Sequence, residues 1–409
     1  MSRIRSVTIT PIAFADPPLL NSWGVHEPLA LRTIVQLELD DGTIGVGETS
    51  GELPLLEAMR AAAPALVGVR VDEPDGLLSA VEASGASARL TDPVAAGKLL
   101  SPFEVAALDA HGKLEGVPVA ELLGGRVRER VDFTGYLFAK WGAHPGQATD
   151  RWGEAMTPEG LVAQARVLVD EYGFRSLKLK GGVFPPAIEL SMMRALAAAF
   201  PGFPLRMDPN GAWSVPSTIA IAAELESTLD YLEDPVLGVD GMAEVRRAVR
   251  LPLATNMVAI SFPTLEEAVA ADAIDIVLGD HHYWGGLRAT RELGRRCGEL
   301  GLGVAMHSNS HLGISLAAMT QVAAAMPELS VACDTHYPWN AAEDIVETNA
   351  HFQNGSLAVS TAPGLGVEVR PDRLERLHRQ YLESGRTGRD DTAYARTVDP
   401  SYDPTLPRF

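Results

Sequence analysis

Two lysines one residue apart, Lys178 and Lys180, close an apolar stretch of the chain. Six later apolar stretches also close on ionisable or amide side chains: Asp208 and Asn210; Glu233 and Asp234; Thr255 and Asn256; Asp280; His307, Ser308 and Asn309; Asp334 and His336. These types support three kinds of chemistry. The oxygens of Asp208, Glu233 and Asn256 suit Mg2+, which takes carboxylate, carbonyl and water ligands in octahedral geometry. Asp234 and Asp240 lie close enough in sequence to compete with Glu233 for the second ligand position. A carboxylate such as Asp280 can bond one ring nitrogen of His307, which orients the imidazole and favours its protonated form. Two crowded amines are costly unless an anion or a deprotonated form relieves them, which is how a lysine becomes a base. The plainer readings are carboxylates that only neutralise the lysines, and lysines on an exposed edge strand. The second would leave Leu177 and Leu179 bare.

Such residues must be brought together by the elements they terminate. Short apolar strands are expected at 131–138, 174–180, 205–208, 229–233, 252–256, 274–280, 302–307 and 330–336, with helical stretches between them. Thr157-Pro158-Glu159 supplies an N-cap, a proline at the first helical position and an acid in the first turn. Residues 188–200 and 265–273 are apolar helix formers, and Gly301 and Gly303 break the chain before the seventh strand. Eight strand–helix units are what a (β/α)8 barrel requires, and active sites of that architecture lie at the C-terminal strand ends. A doubly wound sheet competes, but no Gly-x-Gly-x-x-Gly turn is present. Alternate strand residues face one side, so Lys178 and Lys180 both point into the barrel mouth.

Residues 1–125 read as a separate α+β domain. Strands are expected at 4–13, 31–39 and 43–49, with an Asp41-Gly42 turn, and helices at 53–67 and 102–114, each with a proline in its first turn. The barrel is assigned to 126–355. The segment 356–409, helical at 373–384, is expected to pack back on the first domain. The chain has 409 residues, 46 % hydrophobic and 21 % charged, which is a globular composition. A formal net charge of -19 argues against nucleic acid and anionic membrane as partners, though cations in a cleft can still receive an anionic substrate. No apolar run approaches the ~20 residues of a membrane helix. The first residues read as a strand and not as a signal peptide, and Cys297 and Cys333 as reduced core residues, so a cytoplasmic location is expected. His111, His144, His351 and His378 read as structural histidines, and His281 and His282 as loop residues after Asp280.

Together, Lys-x-Lys, Asp-x-Asn, Glu-Asp-Pro, Thr-Asn-Met, the sixth-strand Asp and the seventh-strand His resemble the enolase superfamily. Asn256 as third metal ligand is similar to its glucarate dehydratase branch. So are Lys178-Leu-Lys-Gly-Gly-Val183, Asp208-Pro-Asn-Gly-Ala-Trp213, His307-Ser-Asn-Ser-His-Leu-Gly-Ile-Ser315 and Asp334-Thr-His-Tyr-Pro-Trp339. The resemblance spans residues 21–389. It implies an N-terminal domain whose loops close over the mouth, with Asn21 and His26 reaching the substrate. It assigns substrate contacts to Tyr136, Lys178, Asn210, Ser308, Asn309 and His336. It also makes Arg389, otherwise an ordinary surface residue, the arginine that grips a distal carboxylate, a task for which a guanidinium fork is suited. Homo-oligomers are common in the family. Two departures stand out: the stretch between Glu233 and Asn256 is shorter than in the best-known glucarate dehydratases, and His281 follows Asp280 where those have proline.

The implied activity is Mg2+-dependent dehydration of a sugar diacid, with Lys180 and His307 as bases on opposite faces of one carbon, as enolase-superfamily sites use a Lys or His base. Neighbouring Lys178 and Mg2+ would disfavour the charged form of Lys180. The substrates implied are D-glucarate and L-idarate, giving 5-dehydro-4-deoxy-D-glucarate. The alternatives are a dehydratase or epimerase for another acid sugar such as galactarate, separable by assay of an aldarate library, and a non-catalytic sugar-acid binding protein, which would lack a metal ligand or base.

Overall fold

The computed structural model describes residues 2–92, 94–347 and 351–409. Ile4–Ala15, Leu29–Leu39 and Ile44–Ser50 form an antiparallel sheet with Leu29–Leu39 in the middle. Its turn is set by Gly42 at φ +90°, and Asp41 Oδ1 accepts from the Thr43 N–H at 3.0 Å. Helices Leu53–Leu66, Pro74–Ala83 and Ala95–Glu115 cover one face, burying Val35, Leu37, Leu39, Met59, Leu99 and Phe103. The sequence places the start of the last of these at Pro102, and that is a correction: the helix begins at Ala95 and runs through the proline. An interior proline forfeits a helical hydrogen bond. Tertiary packing offsets it, because this turn lies against Gly47, where a Cβ would come within 2.0 Å of the Pro102 carbonyl oxygen. Helix Pro74–Ala83 was not expected from the sequence.

Eight parallel strands follow in a nearly closed barrel: Arg130–Phe138, Leu177–Lys180, Leu205–Asp208, Tyr231–Glu233, Leu253–Thr255, Ile276–Gly279, Gly303–Met306 and Cys333–Thr335. The seam between the seventh and eighth is bridged just upstream, where the Ser330 N–H donates to the Val304 carbonyl at 3.0 Å. The register sets Tyr136 beside Lys178, and Lys180 beside Asp208. Period-2 alternation then fixes what faces inward. Tyr231, Ala254, Leu278 and Ala305 pack together, and the next inward position on each of their strands is Glu233, Asn256, Asp280 and His307. Thr157, Ser214 and Ser261 cap the N-termini of barrel helices with their side chains, and the left-handed Gly173 closes one C-terminus through its backbone N–H.

The N-terminal domain is keyed to the barrel by two buried carboxylates. Glu48 accepts from the Leu312 and Ser315 N–H groups, each at 2.9 Å, at the start of helix Gly313–Ala324. Glu104 accepts from the Leu287 N–H at 2.8 Å and the Arg288 N–H at 3.3 Å, at the start of helix Leu287–Leu300. A small hairpin, Leu20–Asn21 with Gly24–Val25, lies over the mouth and is tied to it where the Leu20 N–H donates to the Ala139 carbonyl at 2.8 Å. Helix Pro371–Ser384 packs on the first strand of the N-terminal sheet, with His378 Nδ1 2.6 Å from the Pro11 carbonyl oxygen. Helix Asp391–Arg396 presses on the hairpin at Gly24, where a Cβ would stand 2.2 Å from the Asp391 carbonyl oxygen.

Candidate active site

The mouth holds a cavity of about 570 Å³ lined by Asn21, His26, Tyr136, Lys180, Asn210, Asn256, His307, Ser308, Asn309, His336 and Arg389, among others. Asp208, Glu233, Lys178 and Asp280 lie behind that lining, each at most 1 % exposed.

The second and third strands put Lys180 Nζ 2.6 Å from Asp208 Oδ2. Lys178 Nζ is 2.6 Å from Asp334 Oδ2, contacts Glu233, and sits 4.8 Å from the centre of the Tyr136 ring. Burial works against the charge of Lys178, but Asp334 and Glu233 outweigh it and hold this amine well above its ordinary value. The Tyr136 hydroxyl is 3.4 Å from Asp208 Oδ2.

Asp208 and Glu233 crowd one another at adjacent strand ends. Burial, and then the charge of Asp208, push the Glu233 carboxyl well above the usual range. Asp208 is itself held below that range by Lys180 and Lys178, against the effect of burial. Asp208 Oδ1 and Glu233 Oε1 are buried oxygens with no hydrogen-bond partner. Two crowded carboxylates with free oxygens, beside the Asn256 amide, fit a hard divalent cation. Asp234 does not compete for it: its Oδ1 accepts from Thr255 Oγ1 at 2.5 Å and its Oδ2 from the Asn256 N–H at 2.8 Å. It therefore fixes the Asn256 backbone from behind. Asp240 is exposed in the first turn of helix Gly238–Ala248. Alternation from the inward-packed Tyr231 leaves Glu233 facing inward.

Across the mouth, His307 Nδ1 lies 3.0 Å from Asp280 Oδ2. Four strands separate the Lys180 and His307 strands on one side of the barrel and two on the other. Asp280 Oδ1 is 2.7 Å from His282 Nδ1 and accepts from the His282 N–H at 2.9 Å. Burial alone would raise the Asp280 carboxyl, but the electrostatic effect of His282 and then hydrogen bonds from His282 and His307 hold it well below its ordinary value. Asp280, His281 and His282 also lie close enough to share an ion. Both Asp280 oxygens are already engaged, however, and the Arg32 guanidinium stands 3.1 Å from His282 Nε2, which opposes a second cation there. His281 is fully buried and its Nδ1 has no partner; burial, then His282, keep it well below the ordinary imidazole value.

At the far end, Asn21 Nδ2 donates to Asp391 Oδ2 at 2.9 Å, and His26 Nδ1 is 2.9 Å from Asp16 Oδ2. Arg389 touches both acids, with Nε 3.0 Å from Asp391 Oδ1 and Nη1 3.6 Å from Asp16 Oδ2. Asn210 adopts φ +55° and donates weakly to the Met257 sulfur at 3.3 Å, leaving its Oδ1 without a partner. Ser308 Oγ accepts from the His336 N–H at 3.0 Å, and Asn309 Nδ2 donates to the Tyr283 hydroxyl at 2.5 Å. His336 is held neutral by burial and by the nearby His26. The sequence reading named all these cavity residues, placed Asp334 at a strand end without giving it a role, read His282 as a loop residue, and missed Arg32, Asp16 and Asp391. Period 2 from His336 turns Asp334 inward. His144 is structural, bonded to the Asp16 carbonyl and the Tyr394 hydroxyl. Cys297 and Cys333 are buried and unpaired.

The barrel thus carries a ring of strand-end acids, amides, lysines and a histidine around one cavity, and comparison with known proteins shows its family. The family described as "Enolase C-terminal domain-like" matches residues 160–373. The chain belongs to the enolase superfamily. Within it the chain is an enzyme of the glucarate dehydratase-like branch: a Streptomyces coelicolor protein named "Probable glucarate dehydratase" is 50% identical, over 99% of each chain. A Mycobacterium smegmatis enolase crystallised with tartrate is 50% identical with a TM-score of 0.97, covering 100% of this chain and 99% of its own. A Thermobispora bispora enolase with magnesium and formate is 48% identical with a TM-score of 0.98, covering 100% of both.

Proposed function

We propose that this protein dehydrates a sugar diacid, D-glucarate and its epimer L-idarate, to 5-dehydro-4-deoxy-D-glucarate, with Mg2+ held by Asp208, Glu233 and Asn256. The observation that carries this reading is the opposition of Lys180 to the His307–Asp280 pair across one cavity, with free buried oxygens between them. The probable glucarate dehydratase relative and the magnesium found with the Thermobispora bispora enolase support it.

When bound, the ion would offset the negative charge that builds on a carboxylate whose neighbouring C–H loses its proton. Lys178, buried and charged, adds a fixed positive field to the same region. His307 takes the proton from D-glucarate, its ring oriented by Asp280; Lys180 takes it from the opposite face, from L-idarate. Lys180 is held in place by Asp208, one of the residues that would hold the ion. The protonated imidazole then donates to the leaving hydroxide. Loss of one proton and one hydroxide leaves an enol, which becomes the 2-keto acid. Arg389, Asn21 and His26 hold the distal carboxylate end, aligned by Asp391 and Asp16.

The test is an aldarate library assayed for 2-keto acid, with and without EDTA. Turnover of D-glucarate and L-idarate that EDTA abolishes is expected. Turnover of galactarate alone, or epimerisation without keto acid, would replace this substrate assignment. In D2O, His307→Asn should lose D-glucarate dehydration while deuterium still enters L-idarate from the Lys180 face.

A further inference from the structure

We infer that His282 is a positioning residue for the His307 half of the reaction: it fixes the Asp280 carboxylate that orients His307, and is itself fixed by Arg32 of the N-terminal domain. This rests on the reading of His307 and Lys180 as opposed proton-transfer groups.

The direction of each hydrogen bond follows from donor chemistry. Arginine only donates, and Arg32 Nη2 is 3.1 Å from His282 Nε2, so that nitrogen accepts. The ring proton of His282 therefore sits on Nδ1 and is donated to Asp280 Oδ1 at 2.7 Å. Ser315 Oγ, also 3.1 Å from Nε2, can donate to it as well. Arg32 is anchored in turn, with Nε donating to Glu48 Oε1 at 2.9 Å. Every member of this chain is buried. One Asp280 oxygen is thus immobilised by a ring and a backbone N–H of residue 282, and the other is left for His307 Nδ1. Two imidazoles share one carboxylate and both line the cavity, but only His282 has its far nitrogen against the guanidinium.

Remove the His282 ring and Asp280 loses its strongest lateral restraint. The carboxylate can then rotate, and His307 loses its fixed orientation toward substrate. None of these bonds reaches Lys180, which is tied to Asp208 on the opposite wall. A general loosening of the protein would harm both faces; loss of this restraint harms one.

The experiment uses the full-length Mg2+-loaded protein. His282→Phe keeps the ring volume without its hydrogen bonds, His282→Ala is a second null variant, and His282→Asn retains an amide N–H aimed at Asp280. Kinetics on D-glucarate are measured beside NMR deuterium uptake by L-idarate, with His307→Asn as reference. Expected for the null variants is a fall in kcat on D-glucarate of about 10- to 100-fold, with KM and L-idarate exchange held within about threefold. His282→Asn should recover most of the loss. Equal losses on both substrates, an unchanged kcat on D-glucarate, or no rescue by Asn overturns the inference. If His307→Asn fails to separate the two substrates, the opposed-face reading itself has failed, and this inference falls with it.

Discussion

Lys178 Nζ and Asp334 Oδ2 meet at 2.6 Å inside the barrel, with both side chains out of contact with water. The two residues lie on the second and eighth strands, which the first strand separates. Removing one member of a buried ion pair leaves the other uncompensated, whereas the intact pair adds little net stability. Asp334→Ala should therefore destabilise the fold by about 3–5 kcal/mol, read by urea denaturation. A change below ~1 kcal/mol would mean that Glu233 alone suffices for Lys178.

Glu233 and Asp208 repel one another without a counter-ion, so Mg2+ should stabilise the protein by mass action. At a free concentration about 100 times Kd the gain is about 2.7 kcal/mol. Calorimetric or thermal titration should show a rising midpoint with Mg2+ in the native protein and little rise in Glu233→Gln. An equal rise in both would remove Glu233 from the ligand set.

Arg389 is 31% exposed and held by two acids at the cavity edge. Lysine keeps the charge and loses the planar fork. Arg389→Lys is expected to raise KM for the diacid about tenfold, leave kcat near its native value and change stability by under ~0.5 kcal/mol. Unchanged KM would place the distal carboxylate elsewhere.

Glu104 and Glu48 do the same structural job at different protonation. Glu48 is buried, but Arg32 2.9 Å away holds it below its ordinary value. Glu104 has Arg288 only at 3.7 Å, and burial pushes it up to about 7, past the lowering by its two backbone hydrogen bonds. A carboxyl raised from 4.5 favours folding while protonated. Its contribution is full below pH 4.5 and is lost as pH rises through about 7. Relative to Glu104→Gln, native stability should fall by ~3 kcal/mol across that window, measured by denaturation at fixed pH values. A flat difference would show the carboxylate already charged at pH 5.

The barrel was legible because its signals are local. Each strand is an apolar run ending in a polar residue, and period 2 tells which of Lys178, Leu179 and Lys180 face inward. The same rule separates Glu233 from Asp234, once Asp234 is seen bonding Thr255 and the Asn256 backbone. The rule stops at the strand end. His282 sits in a loop, where alternation says nothing about direction, and its partner Arg32 is 250 residues away. Asp16 and Asp391 belong to segments with no periodic signal and act only through contacts made by the folded chain. Pro102 misled for the converse reason: a local rule for helix starts yielded to packing against Gly47.

Glu48 and Glu104 stitch the N-terminal domain to the first turns of two barrel helices. Swinging that domain away as a body would strip both helix starts of their caps and lose the whole buried interface. Over the mouth the chain is joined more lightly: Asn21 of the hairpin donates to Asp391 at the start of helix Asp391–Arg396.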